Sequence, residues 1–393
     1  MKLFSPSYFS AGFVSILVGY TSAAALVFQA AEAAGGSPAE IASWMWALGI
    51  GLGLNCILLS LKYKTPIVLA WSTPGAALLI TSLPGIPMSE AIGAFLFCSL
   101  LITICGITGW IDKVMQLVPA SLAAALMAGI LLQFGLNAFA AMEKELLMVG
   151  LMLAVYVTGK LYFSRYAIPL TFLTGIAVAA FTGKMNPEGI DMTFTRPIFT
   201  LPDFSLPVVI GIGIPLFMVT MASQNVPGIA VLRSHGYKVP ASPLMTWSGI
   251  TGLILSPFGG YTFNLAAITA AITMGEDVDP DPRQRYRAAI WVGIFFFILG
   301  IFGSAVTGLF ILFPTALVMA IAGLALLGTI GNALKGLSEK EEEREGAMIT
   351  FAITASGVTL FGIGAPFWAL TLGLVIHYLF QWHRQKTSAP KTA

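Results

Sequence analysis

Charge is what this chain has least of. Its 393 residues carry 20 basic and 18 acidic side chains, so 10% of positions are charged, against about 25% in a soluble globular protein. A soluble fold could not cover a chain that is 57% hydrophobic with so few charges. Hydrophobicity this high also excludes disorder. A net charge of +2 with no basic stripe excludes a nucleic-acid binder. Histidine and cysteine are equally scarce, at three each. His235 falls in a loop, and His377 and His383 fall at the last span. Cys56, Cys98 and Cys105 all fall inside apolar runs and read as small buried residues. No His/Cys/carboxylate constellation marks a metal, a cofactor or a nucleophilic catalyst.

What the chain does have is apolar length. A helical span needs about 20 mostly apolar residues, and charge-free windows of that order recur from residue 3 to residue 383. Windows 239–275, 288–334 and 346–383 each read as two segments. Their breaks are Ser256-Pro257-Phe258-Gly259-Gly260, Phe302-Gly303-Ser304 and Gly362-Ile363-Gly364-Ala365-Pro366. The expected fold is an all-α polytopic membrane protein of 14 segments, two of them incomplete, at 65–82 and 256–274. The first span, 10–34, is too long for the apolar part of a signal peptide, about 7–15 residues. With the N-terminus in the cytoplasm, 17 of the 20 Lys and Arg residues fall inside. Only Lys144, Lys184 and Arg196 fall outside, which supports this multi-pass orientation with both termini cytoplasmic.

The halves resemble each other. Pro119 to Asn137 and Pro314 to Asn332 are matching stretches at an offset of 195, and the same offset carries Gln29 onto Gln224. Pro66 pairs with Pro257 at 191, and Pro169 with Pro366 at 197. Each repeat then holds seven segments, an odd number, so two in series sit upside down relative to each other, as in secondary transporters.

The incomplete segments are where chemistry is expected. In the first, Ser72 or Thr73 before Pro74 is a helix start. In the second, Thr262 or Asn264 before Ala-rich sequence takes that role. Each reads as an extended stretch running into a half-helix in mid-membrane. Irregular backbone at that depth must be buried in protein or line a cavity. Two half-helix ends, each with roughly +0.5 of an elementary charge, suit an anion without any Lys or Arg. The candidate donors are the N–H groups around Gly75–Ala76 and Asn264–Leu265, helped by Ser72, Thr73, Gln224 and Asn225. Tyr20 and Ser22 lie midway along the first span. Tyr261 and Phe263, with Trp71 and Phe28, are candidate walls for an aromatic substrate. Glu32, Glu40, Glu90 and Glu143 sit near outer helix ends and read as cap or loop charges, with proton handling by Glu32 or Glu90 as the alternative. Run 335–345 reads as a solvated linker, and 184–204 as an outer loop on the membrane surface.

Three motifs carry a resemblance: Ala70-Trp71-Ser72-Thr73-Pro74-Gly75-Ala76-Ala77, Ser223-Gln224-Asn225-Val226-Pro227-Gly228, and Pro257-Phe258-Gly259-Gly260 followed by Asn264-Leu265-Ala266-Ala267. Over essentially its whole length the chain resembles the bacterial benzoate/proton symporter family, which is related to the uracil permease-like fold. The resemblance implies a core domain (1–110 and 206–304) moving against a gate domain (111–205 and 305–393). Substrate would sit between segments 3 and 10, beside segments 1 and 8, with Thr262 among its neighbours. It implies import of benzoate or a similar aromatic carboxylate with protons across the bacterial inner membrane, no cofactor or metal, and leaves a homodimer open. Nucleobase relatives place carboxylates on segments 8 and 10. Here the matching Ser223, Gln224, Asn225, Phe263 and Asn264 are neutral, which favours an anion and leaves the proton carrier unassigned. The alternatives are a carrier of another organic or inorganic anion, an anion channel, or a membrane-embedded enzyme.

Overall fold

The structure is a computed structural model describing residues 5–110, 119–163, 166–185, 193–276, 278–360 and 364–388. Lys2, Lys113, Arg165, Lys391, residues 186–192 and Gly362 and Ile363 of the break at 362–366 lie outside the described residues, as does the side chain of Ser22. The elements run α1 (Pro6–Ala33), α2 (Pro38–Tyr63), β1 (Leu69–Ala70), α3 (Thr73–Ser82), α4 (Met88–Thr108), α5 (Ala120–Ala140), α6 (Leu146–Tyr162), α7 (Ala167–Phe181) and α8 (Leu206–Arg233). They continue with α9 (Ala241–Leu255), β2 (Asn264–Leu265), α10 (Ile268–Ile272), α11 (Tyr286–Ile301), α12 (Gly303–Leu312), α13 (Thr315–Ser338), α14 (Arg344–Ser356) and α15 (Ala365–Ser388).

By length and composition, six described helices can cross a membrane: α2, α4, α5, α8, α11 and α13. A seventh is α1, which bends by 43° at Ser22. Window 288–334 holds three helices rather than the two expected. The chain does break at Phe302, but the ten-residue α12 intervenes before Pro314 opens α13.

Local chemistry sets the ends. Ser37 and Glu40 form a reciprocal capping box at the start of α2, so Glu40 is a cap as expected. Pro119 and Pro314, matched in the repeat, are the N-cap residues of α5 and α13. Those two helices pack on each other so closely that a Cβ on Gly323 would lie 2.3 Å from the Phe134 carbonyl oxygen.

The remaining packing repeats in the same way. Helix α2 lies against α11, where a Cβ on Gly49 would be 2.4 Å from Gly300 Cα. The counterparts of that pair, α9 and α4, meet where a Cβ on Gly249 would be 2.3 Å from Thr103 Oγ1. Helix α6 pairs with α7, and α14 with α15. Between α7 and α8, residues 193–204 do not lie free. Thr195 N–H donates to Ile301 O, Thr200 N–H to Pro257 O and Asp203 N–H to Ser89 O, at 2.8–3.0 Å. The Ile198 N–H donates to Ser43 Oγ at 2.9 Å. The described part of the expected outer loop is therefore a strap across the ends of four helices. Helix-end carbonyls and the Ser43 hydroxyl thus satisfy backbone donors of an irregular segment.

Candidate functional site

The two incomplete segments meet in the interior. β1 and β2 pair antiparallel, Leu69 opposite Leu265 and Ala70 opposite Asn264. Ala266 N–H extends the pairing to Val68 O at 2.9 Å. A two-residue ladder leaves most backbone groups unpaired, and neighbouring side chains complete them. From α2, Ser60 Oγ donates to Ile67 O at 3.0 Å and Cys56 Sγ accepts from Leu69 N–H at 3.1 Å. Cys56 is buried as expected, and it also backs the strand.

Helix α3 begins as the sequence predicts. Ser72 Oγ accepts from Gly75 N–H at 3.0 Å, with Pro74 in the first turn. The second half-helix starts later than expected, at Ile268 instead of Thr262 or Asn264, and has five residues. Asn264 is held in the strand by its partner Ala70. The offset of 195 links Leu69–Ala70 to Asn264–Leu265 and Thr73 to Ile268. The sequence pairing of Pro66 with Pro257 is therefore four residues out of register. Pro257 belongs to a single 3-10 turn, Ser256–Phe258, ending α9.

Helix α8 carries two widened π turns, Val209–Gly213 and Met221–Asn225, each two residues before a proline. Pro215 and Pro227 have no N–H, so the ordinary bond to the carbonyl four residues back is absent and the turn relaxes. The second turn presents Asn225. Its Oδ1 accepts from Leu265 N–H at 2.9 Å and its Nδ2 donates to Asn264 Oδ1 at 3.1 Å. One turn on, Gly228 lets β2 approach, because a Cβ there would sit 2.5 Å from Leu265 Cβ.

The predicted residues of this stretch, Tyr261 to Asn264, are all fully buried. Tyr261 packs against Trp44 and Phe95 and its hydroxyl donates to Ser72 O at 2.9 Å. Phe263 fills the space left by Gly51, Gly252 and Gly260. Both rings are packed between neighbouring helices. Thr262 Oγ1 accepts from Ser72 N–H at 3.3 Å. Two of the expected anion donors are occupied within the cap, Gly75 N–H by Ser72 Oγ and Ala76 N–H by Ser72 O. Leu265 N–H is taken by Asn225.

What is left unpaired is informative. Asn264 Nδ2 is buried without a partner, as are Tyr20 Oη and Gln29 Nε2. The Tyr20 ring meets Trp71 edge-on at 5.0 Å, and Trp71 meets Phe296 at 5.8 Å. Thr73 and Gln224 are half-buried, and Ile268, three residues past the fully buried strand, is 73% exposed. The sequence reading assigned no site role to Gln29 or Ile268. The repeat signals both, since they are the counterparts of Gln224 and Thr73.

Apolar helices packed in two matching sets around crossed, interrupted segments define the class, a membrane transporter rather than an enzyme. The family model described as benzoate membrane transport protein matches residues 2–379, and the chain belongs to that family. It is 45% identical over 379 residues to the Inner membrane protein YdcO of Escherichia coli (strain K12), covering 96% of this chain and 97% of that protein. It is 38% identical over 369 residues to the Benzoate membrane transport protein of Acinetobacter baylyi (strain ATCC 33305 / BD413 / ADP1), covering 94% of each. Among solved structures, the transmembrane domain of the cyanobacterial bicarbonate transporter BicA superposes with a TM-score of 0.58 at 13% identity, over 95% of this chain and 96% of that one. SLC26A9 superposes with a TM-score of 0.65 at 14% identity, over 95% of this chain, which spans 65% of the SLC26A9 chain. These two likenesses are of fold.

Proposed function

We propose that this protein imports benzoate or a similar aromatic carboxylate together with protons across a bacterial inner membrane. In this reading the chain crosses 14 times with both termini in the cytoplasm. The division into core (1–110, 206–304) and gate (111–205, 305–393) is that of an elevator-type carrier. The observation that carries the substrate reading is the spare amide donor at the β1–β2 crossing, among neutral side chains. Asn264 Nδ2 lies buried and unpartnered there, beside the start of α3.

The carboxylate binds the Asn264 and Gln224 amides and the Thr73 hydroxyl, under the positive end of α3. Such an end contributes about 0.3–1 kcal/mol when exposed and up to about 2 when partly buried. No carboxylate at the crossing repels it. The ring rests on apolar surface that includes Ile268 and the edge of the Tyr20–Trp71 pair. Burying it yields a few kcal/mol at about 25 cal/mol per Å², which offsets stripping water from the carboxylate. Asn225 sets the position of Asn264 and β2. Core and gate then move past each other with the site carried on the core. The proton travels on the substrate or on a peripheral carboxylate.

Uptake of labelled benzoate into proteoliposomes, competed by salicylate, uracil and sulfate, tests the substrate. The reading predicts saturable uptake, inhibited by salicylate and not by uracil or sulfate. Competition by uracil or sulfate with no benzoate transport would overturn it.

A further inference from the structure

The second half-helix poses a mechanical problem. Helix α10 has five residues and α3 has ten, yet both flank the same crossing. A five-residue helix makes too few internal bonds to hold its own direction. Something beyond it must fix where it points, and with it β2 and Asn264.

Arg285 stands at that place. It lies just before α11, is 6% exposed, and forms no ion pair with a carboxylate among the described residues. Its guanidinium grips three backbone carbonyls of the segment that follows α10. Nη1 donates to Met274 O at 2.7 Å, Nε to Asp279 O at 2.7 Å, and Nη2 to Pro280 O at 3.4 Å. Met274 is two residues past the end of α10, and its own N–H still bonds back to Ala271 O at 3.1 Å. The cation therefore sits at the carbonyl end of the half-helix, where positive charge is favoured. Only a planar fork of donors can span three carbonyls at once. Two neighbouring contacts brace the same segment: Tyr237 Oη donates to Pro282 O at 3.0 Å, and Tyr8 Oη donates to Asp279 Oδ2. Through Tyr8 the brace reaches the first turn of α1, a helix that also touches α10 where Ser15 Oγ donates to Thr269 O at 2.9 Å.

We infer that Arg285 is a positioning residue for the binding site: by clamping the carbonyls of Met274, Asp279 and Pro280 it fixes the direction of α10 and the seat of Asn264. It touches no substrate. In naming a residue that governs substrate affinity this rests on the functional reading above, and the test separates the two.

Arg285→Lys keeps the charge but cannot span three carbonyls, and Arg285→Gln removes the charge. Hydrogen exchange is read first, on substrate-free protein in detergent. Both variants should exchange amides in 264–274 about tenfold faster, with α9 unchanged, and lysine should be the milder. In uptake, KM for benzoate should rise about tenfold while kcat changes less than about twofold. Unchanged exchange in 264–274 overturns the inference, as does a fall in kcat at unchanged KM. If neither variant folds, Arg285 is a folding residue and the inference is also overturned. If the wild type transports no benzoate, the substrate reading fails while the exchange result still decides the role of Arg285.

Discussion

Replacing Asn225 by alanine removes both bonds that tie β2 to α8. Leu265 N–H loses its acceptor at 2.9 Å and Asn264 Oδ1 its donor at 3.1 Å, and all three residues are buried. A buried polar group left unmatched costs about 1–3 kcal/mol. The two groups together come to about 2–6 kcal/mol, and water entering the vacated space brings the net toward the lower end. If that energy holds β2 in its binding position, benzoate affinity should fall by about 30-fold, the equivalent of about 2 kcal/mol. Melting temperature in detergent should fall as well. Calorimetric titration with benzoate and a thermal melt on the same purified variant read both quantities. Asn225→Ala with wild-type affinity and melting temperature would refute the reasoning, because the crossing would then not depend on this amide.

Three further outcomes follow from the packing and the charges. Gly49→Val should lower the melting temperature strongly, since its Cβ would lie 2.4 Å from Gly300 Cα, and overpacking of this kind costs about 1–3 kcal/mol; an unchanged melt would contradict the close contact of α2 and α11. Tyr261→Phe should cost only about 1 kcal/mol, because Ser72 O retains its bond from Ala76 N–H at 2.8 Å, and it should leave benzoate affinity within about twofold; a large loss of affinity would place Tyr261 at the substrate. Burial pushes the Glu343 carboxyl up, but hydrogen bonds from Ser121 and Lys340 outweigh it and bring it below its ordinary value of 4.5. Its contribution to stability is therefore complete above that value and lost as pH falls through the lower folded value. The difference in melting temperature between wild type and Glu343→Gln should be flat from pH 7 to about 5.5 and shrink below about 4.5; a difference that grows on acidification would reverse the sign.

Much of this architecture is legible in the sequence because membrane chains spend so few charges. The break at Phe302, the cap at Ser72 and the register of 195 are local or arithmetical signals, and each has a counterpart in the structure. The misplaced start of α10 has a different origin. Asn264 is a good cap residue, but here its backbone pairs with Ala70 and its side chain with Asn225, partners distant in sequence. Tyr261 and Phe263 illustrate the same limit. Their aromatic character is visible, but their packing depends on where Gly51 and Gly252 leave room and on Trp44 and Phe95, all distant in sequence. In the sequence Arg285 is one of the 17 positive charges that fall inside, and nothing in its neighbours reveals that it folds back onto three carbonyls. Residues 193–204 read as a surface loop because their bonds go to helix ends far along the chain.

The central claim is coupling of an aromatic carboxylate to protons, and vesicle uptake under an imposed pH gradient tests it most directly. Benzoic acid crosses bilayers unaided, so the quantity that matters is the initial rate in excess of protein-free vesicles. The account predicts that this excess rises with an inward proton gradient, saturates with benzoate, and collapses when a protonophore is added. An excess rate indifferent to the gradient and to the protonophore would contradict it.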